Sequence, residues 1–197
     1  MRSAARYSGA VAALVVLLWA GTAAAQRGGG GWKNELSGGL GFAVGLSDSA
    51  PGGFMMENEY GRKFSDLVWL NVQFNFVLGG GHDTCWDAHI GYYECYNRFS
   101  GDAIQMIAGV KFKFHSGRLQ PHAKIGGGLT FSFWGGGDAD ATALVVRGGG
   151  GVKYWVVPRL AVGGEANVTL GPNFIHHGGG TEFYAALDII GGIEFAF

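Results

Sequence analysis

The segment TEFYAALDIIGGIEFAF, residues 181–197, decides the fold. One parity carries Phe183, Ala185, Leu187, Ile189, Ile193, Phe195 and Phe197. The other carries Glu182, Tyr184, Ala186, Asp188, Ile190, Gly192, Glu194 and Ala196. A period of two sends these sets to opposite faces of a strand. One face is apolar along its length and the other holds carboxylates, so the two faces meet different surroundings.

The same rule recurs upstream, giving strands at 36–46, 54–62, 67–78, 102–114, 120–134, 143–156 and 160–170. In 67–78, Leu70, Val72, Phe74 and Phe76 oppose Asn71, Gln73 and Asn75. In 102–114, Ile104, Met106, Val110, Phe112 and Phe114 oppose Gln105, Lys111 and Lys113. The connections alternate in length. Phe64-Ser65-Asp66, Ser116-Gly117 and Pro158-Arg159 are tight turns, whereas 47–53, 79–101, 135–141 and 171–180 are longer. Eight strands with short turns at one end and long loops at the other predict an all-β, antiparallel, up-and-down transmembrane barrel. It must close, because an open edge in lipid leaves backbone groups unpaired.

A soluble barrel would point its apolar face inward. The aromatics argue for the opposite, because they sort by height. Phe54, Phe74, Phe76, Phe131, Phe133 and Phe183 lie near the long-loop ends; Tyr60, Phe112, Phe114, Tyr154, Phe195 and Phe197 lie near the short-turn ends. Two aromatic levels enclosing aliphatics are the double girdle of a membrane barrel. Phe197 is then expected at the periplasmic lipid interface.

The N-terminus fits export. Arg2 and Arg6 precede an apolar run from about Ala10 to Ala20, and small residues follow to Ala25. This order predicts a signal peptide over residues 1–25, a short periplasmic segment over 26–33 and a barrel over 34–197. Of the 14 basic residues, Arg2 and Arg6 leave with the signal, so 12 face 15 acidic ones, a balance unsuited to nucleic acid. Glycine is abundant, at 38 of 197 residues, but it is interleaved with large apolar side chains and does not signal disorder.

On these residues the mature chain resembles the small eight-stranded outer-membrane β-barrel family of Gram-negative bacteria, the group of the OmpA transmembrane domain, OmpX and OmpW. Gly192, Phe195 and the terminal Phe197 match that family's C-terminal assembly signal. The resemblance implies a monomer in contact with outer-membrane lipid and lipopolysaccharide, and a barrel-assembly machinery as partner. Architecture alone assigns no activity.

An eight-stranded barrel is just wide enough inside for side chains. The inward set contains Glu57, Glu59, Glu165, Asp188 and Glu194 against Lys111, Lys113, Lys124, Arg147 and Lys153. Charges in a low-dielectric interior require partners. Lys153 and Glu165 are expected to be cross-strand neighbours, with Glu57 and Glu59 reaching across toward Arg147. A plugged lumen follows, and a narrow charged pore is the alternative. His122 is either a proton-sensitive group or a satisfied hydrogen-bonding one. Gly126-Gly127-Gly128 and Gly148-Gly149-Gly150-Gly151 are expected to face each other, serving curvature or forming a smooth outer groove.

The longest loop contains CWDAHIGYYEC. Two cysteines in an exported chain predict a disulfide, Cys85–Cys95. Trp86, His89, Tyr92, Tyr93 and Tyr96 suit a binding surface for an extracellular ligand. Asp138 and Asp140 are candidates to meet divalent ions near lipopolysaccharide. His82, Asp83, Asp87 and His89, with His176 and His177 on another long loop, match no zinc spacing, so no metal or cofactor is assigned. His115 and Ser116 lack a nearby orienting acid and no G-x-S-x-G motif is present, so no enzyme is predicted.

Overall fold

The structure, a computed structural model, describes residues 32–80, the backbone of 83–87 and 91–95, and residues 101–114, 118–134, 140–175 and 180–197. The expected signal peptide lies outside the described residues. Lys33–Ala196 form one compact unit, the barrel; Trp32 and Phe197 belong with the N-terminal residues to a second unit.

Ten strands follow in chain order: β1 (Asn34–Gly45), β2 (Gly53–Lys63), β3 (Val68–Leu78), β4 (Asp83–Asp87), β5 (Gly91–Cys95), β6 (Asp102–Lys113), β7 (Leu119–Phe133), β8 (Ala141–Val157), β9 (Leu160–Ile175) and β10 (Thr181–Ala196). Eight form a closed antiparallel barrel in the order β1-β2-β3-β6-β7-β8-β9-β10, with β10 returning to β1. β4 and β5 form a separate hairpin within the longest loop.

Closure fixes the geometry. The inward row Glu35–Gly61–Asn71–Gly109–Gly126–Arg147–Thr169–Ala186 returns to β1 at Gly45, ten residues above its start. This stagger makes the strands climb around the barrel, and tilts of about 35–45° accompany such closure.

The period-two faces fall as the sequence dictates, and the molecule is inside out relative to a soluble protein. Phe42 and Ile189 are each 63% exposed on the outer wall, whereas Arg147, on the inner face, is 2% exposed. Phe42 and Phe54 meet edge to face on that wall, centroids 6.1 Å apart.

β9 extends five residues beyond its expected end. Gly171-Pro172-Asn173 reads as a turn, but pairing with β8 and β10 holds it extended, with Pro172 opposite Phe183. Asn173 then donates to the backbone oxygen of Ser49 at 3.2 Å.

The β1–β2 connection folds over the mouth of the barrel. Ala185 N donates to Ser47 Oγ at 3.0 Å, Leu46 N to Ala185 O at 2.8 Å, and Ser49 Oγ to Phe183 O at 3.2 Å. Ala50 is thereby buried among Ile107, Ala143, Val145, Tyr184 and Ala186. A second apolar cluster joins Ala43, Met55, Val77, Ala103 and Ile190. The inner face is therefore graded, with apolar and neutral polar side chains (Asn75, Gln105 and Thr130 among them) toward the long-loop end and charges toward the short-turn end.

Candidate functional site: the charged lumen

Every inward charge anticipated from parity is paired, and the pairs form one connected network. Arg147 on β8 donates to Asp188 through both terminal nitrogens, at 2.6 and 2.8 Å. It also reaches Glu57 on β2 at 3.0 Å and Thr169 at 3.2 Å. Lys124 on β7 reaches Glu57 at 3.1 Å and Glu59 at 3.3 Å, and pairs with Glu165. Lys111 on β6 pairs with Glu59 and lies 2.9 Å from Glu35. Lys113 pairs with Glu35, sits 3.2 Å from Glu194, and lies 4.0 Å over the Trp69 ring. Lys153 pairs with Glu194.

Neutral amides add hydrogen bonds to three of the carboxylates. Glu59 Oε2 accepts from Gln73 at 2.6 Å and from Asn71 at 3.3 Å. Asn167 donates to Glu165 and to Asp188, each at 3.0 Å. Higher in the barrel, Gln105 donates to the Tyr184 hydroxyl at 3.2 Å. Such pairing is what makes charges tolerable in a low-dielectric interior.

Two expected pairings are corrected. Lys153 stands opposite Gly163, and Glu165 stands opposite Gly151. An irregularity between Trp155 and Val157 shifts the β8–β9 register, so Lys153 reaches β10 instead and Glu165 turns to Lys124. Glu59 does not reach Arg147; the lysines on β6 and β7 hold it. Glu57 does cross to Arg147 as anticipated.

His122 is buried, with Nε2 3.0 Å from Glu165 Oε2. A carboxylate only accepts, so Nε2 carries the hydrogen. Glu35 is the network member that sequence reading missed. The expected first strand begins at 36, although Glu35 shares the inward parity of Ser37 and Gly39 and is legible from it.

Glycines make room for these long side chains. The two tracts do not face each other: Gly126 stands opposite Arg147, Gly127 opposite Val146, and Gly149 opposite Lys124. The β7–β8 register, Ser132 opposite Ala141, is displaced by two residues from that expectation. Inward glycines leave no space for a Cβ, which at Gly41 would lie 2.0 Å from Ile189 O and at Gly128 1.9 Å from Met106 O. Outward glycines have more space: a Cβ on Gly38 meets nothing within 4 Å, although one on Gly150 would lie 2.8 Å from His122 O. Curvature thus accounts for the inner set alone.

A cavity of about 40 Å³ lies among Glu57, His122, Lys153, Glu165 and Glu194, over the glycines of β1, β9 and β10. That volume suits a few water molecules.

The other candidates stand apart from this network. Gly192 faces inward between Gly39 and Gly163, and Phe195 lies on the outer face beside Leu36 and Leu160. In the β4–β5 hairpin Trp86 pairs with Tyr92 and Cys85 with Tyr93, while Cys95 stands opposite Asp83. The two cysteines are thus offset by two residues in register rather than opposed. His82, His89, Tyr96, His115, Ser116, Asp138, His176 and His177 lie outside the described residues. Asp140 Oδ2 accepts from Trp134 N at 2.5 Å, closing its own loop. Among the described residues no group of three or more His, Cys, Asp or Glu is arranged to hold a metal.

A closed eight-stranded antiparallel barrel with an apolar outer wall and a charged interior is a small outer-membrane β-barrel fold. Among solved structures, the chain is similar to Neisserial surface protein A, with TM-score 0.55 and 15% identity, covering 87% of this chain and 100% of that one. It is also similar to the outer membrane protein OprG of Pseudomonas aeruginosa (TM-score 0.51, 11% identity, 85% and 98% covered). Ail, the attachment invasion locus protein of Yersinia pestis, follows (TM-score 0.50, 13% identity, 85% and 100% covered). At these identities the likeness is one of fold. No protein-family model matches the chain, and no curated protein matches it by sequence.

Proposed function

We propose that this chain is an exported outer-membrane barrel with a plugged lumen, acting as an envelope component that displays its long loops at the cell surface. The observation that carries the reading is the graded interior. Ion pairs join strands on opposite sides of the lumen, Arg147 to Glu57 for example. Toward the long-loop end Met55, Val77 and Val145 are buried together with Asn75, Gln105 and Thr130. Side chains that interlock across the lumen oppose a continuous water column, and charges already paired with one another offer few exchange sites to a passing ion. The barrel wall would be a rigid frame, and the functional surface would be the loops, including the hairpin that carries Trp86 and Tyr92. On this reading the partners are outer-membrane lipid and lipopolysaccharide, the barrel-assembly machinery acting on the C-terminal strand, and an extracellular ligand of that hairpin. The Cys85–Cys95 bond, once formed, would restrict the hairpin's freedom.

The test is conductance of the purified barrel in planar bilayers at neutral pH. A quiet membrane, with insertion verified by a heat-dependent gel shift, agrees with the reading. Steady single-channel steps would sink it and favour a small-solute channel.

A further inference from the structure

Surface charge is segregated by end. At the short-turn end stand Lys33 and Arg62, both exposed, half-buried Lys63, exposed Arg118 and half-buried Arg159. Asp66 is the acidic residue on that rim, and it is bound by Lys63 at 2.6 Å. At the long-loop end stand Asp48, Asp102, Asp140 and Glu182, and among the described residues that end has no Lys or Arg. Inner-face Glu35 and Glu194 are buried and do not offset the basic rim.

We infer that the short-turn rim is a docking collar for anionic phospholipid headgroups of the leaflet at that end. The inference rests on the membrane reading above. Lys33, Arg62 and Lys63 converge on adjacent strand ends: Asn34 stands opposite Arg62, and Lys63 N donates to Lys33 O at 2.7 Å. Arg62 continues the outer-wall parity of Tyr60 and stands opposite Leu70, so its guanidinium leaves the edge of the apolar wall. The adjoining turn presents Phe64, 77% exposed, and Leu67, 46% exposed. Across the rim Arg118 O accepts from Trp155 N, bringing the start of β7 beside the end of β8 and exposed Val156 and Val157.

Basic side chains at the edge of an apolar wall, with an aromatic beyond them, match a headgroup layer: the rings and stems enter the interface and the charges meet phosphate. A soluble acidic protein would not explain Phe64 and Leu67 beside the wall. The acidic opposite end repels the same lipids, so the charge pattern also sets which end each leaflet meets.

The test uses the full mature chain folded into neutral phosphatidylcholine nanodiscs and into nanodiscs containing phosphatidylglycerol, with retained lipid counted by native mass spectrometry after gentle release. Phosphatidylglycerol should be enriched several-fold over its bulk fraction, and the enrichment should fall as salt rises. Each of R62Q and R118Q should lower it about fivefold, following the roughly 1 kcal/mol per basic residue at an anionic surface. D48N at the opposite end should leave it unchanged. A folded wild type without enrichment, or charge variants that retain it, overturns the collar while leaving the barrel reading intact. Failure of the wild type to insert into either lipid, seen as no heat-dependent gel shift, overturns both.

Discussion

Arg147 on β8 and Glu57 on β2 meet across the lumen, Nη2 to Oε2 at 3.0 Å, although they are 90 residues apart in the chain. The same guanidinium clamps Asp188 with both its terminal nitrogens. A rigid planar fork suits this three-strand bridge better than an ammonium would.

Arg147→Met is therefore expected to destabilise the barrel by about 3–5 kcal/mol, because buried Asp188 loses its counter-charge and Glu57 keeps only Lys124. The triple variant R147M/E57M/D188L is expected to recover most of that loss, since no uncompensated charge remains. Urea unfolding in lipid vesicles measures both. Equal loss in the single and triple variants would mean that packing, not charge, is the cost.

Glycines of opposite parity are expected to respond in opposite directions. Gly41→Ala places a methyl 2.0 Å from Ile189 O, and overpacking of this kind costs about 1–3 kcal/mol. Gly38→Ala meets open space and Gly164→Ala an atom at 3.4 Å, so each is expected to be neutral or to gain about 0.4–1 kcal/mol through the unfolded chain. The same unfolding experiment distinguishes them.

The Lys63–Asp66 pair is open to direct titration. The hydrogen bond from the Lys63 ammonium, reinforced by its charge, holds the Asp66 carboxyl below the usual carboxylate range. A carboxyl so lowered favours the folded turn above its ordinary titration range, and the contribution disappears as pH falls through the lowered value. Lys63→Gln should return the Asp66 midpoint, followed by carbon-detected NMR, to the ordinary range. An unchanged midpoint would remove Lys63 as the cause.

Ala50 tests the cap over the mouth. Ala50→Asp puts an unpaired carboxylate among Ile107, Val145 and Tyr184, so residues 46–52 should leave the mouth while the barrel stays closed. Limited proteolysis should cut the variant within that loop and spare the wild type. An uncut variant would show that the cap is held by its hydrogen bonds to Ala185, Phe183 and Asn173 alone.

How much of this was legible in the sequence depends on how far each signal reaches. Strand existence and facing needed only local alternation, so seven expected strands lie within two residues of their structural limits, and the inward position of all ten anticipated charges follows from parity. The exception was the end of β9, where Gly171-Pro172 looks like a turn. Its extension is enforced by two neighbouring strands rather than by its own composition. The β4–β5 hairpin was missed for a related reason, because the loop's Gly, Asp and aromatic residues hid the pairing of Trp86 with Tyr92.

The sequence by itself determined an inside-out barrel: which side chains face the wall, which face the lumen, and that the charges within must be paired. Only the tertiary structure decided who pairs with whom. A ten-residue stagger and the β8–β9 irregularity set which inward residues share a height. A shift of two residues therefore turned Lys153 from Glu165 to Glu194. A separate two-residue difference in the β7–β8 register set the two glycine tracts out of step. Parity is written residue by residue along the chain, whereas stagger belongs to the closed ring and is fixed only when β10 meets β1.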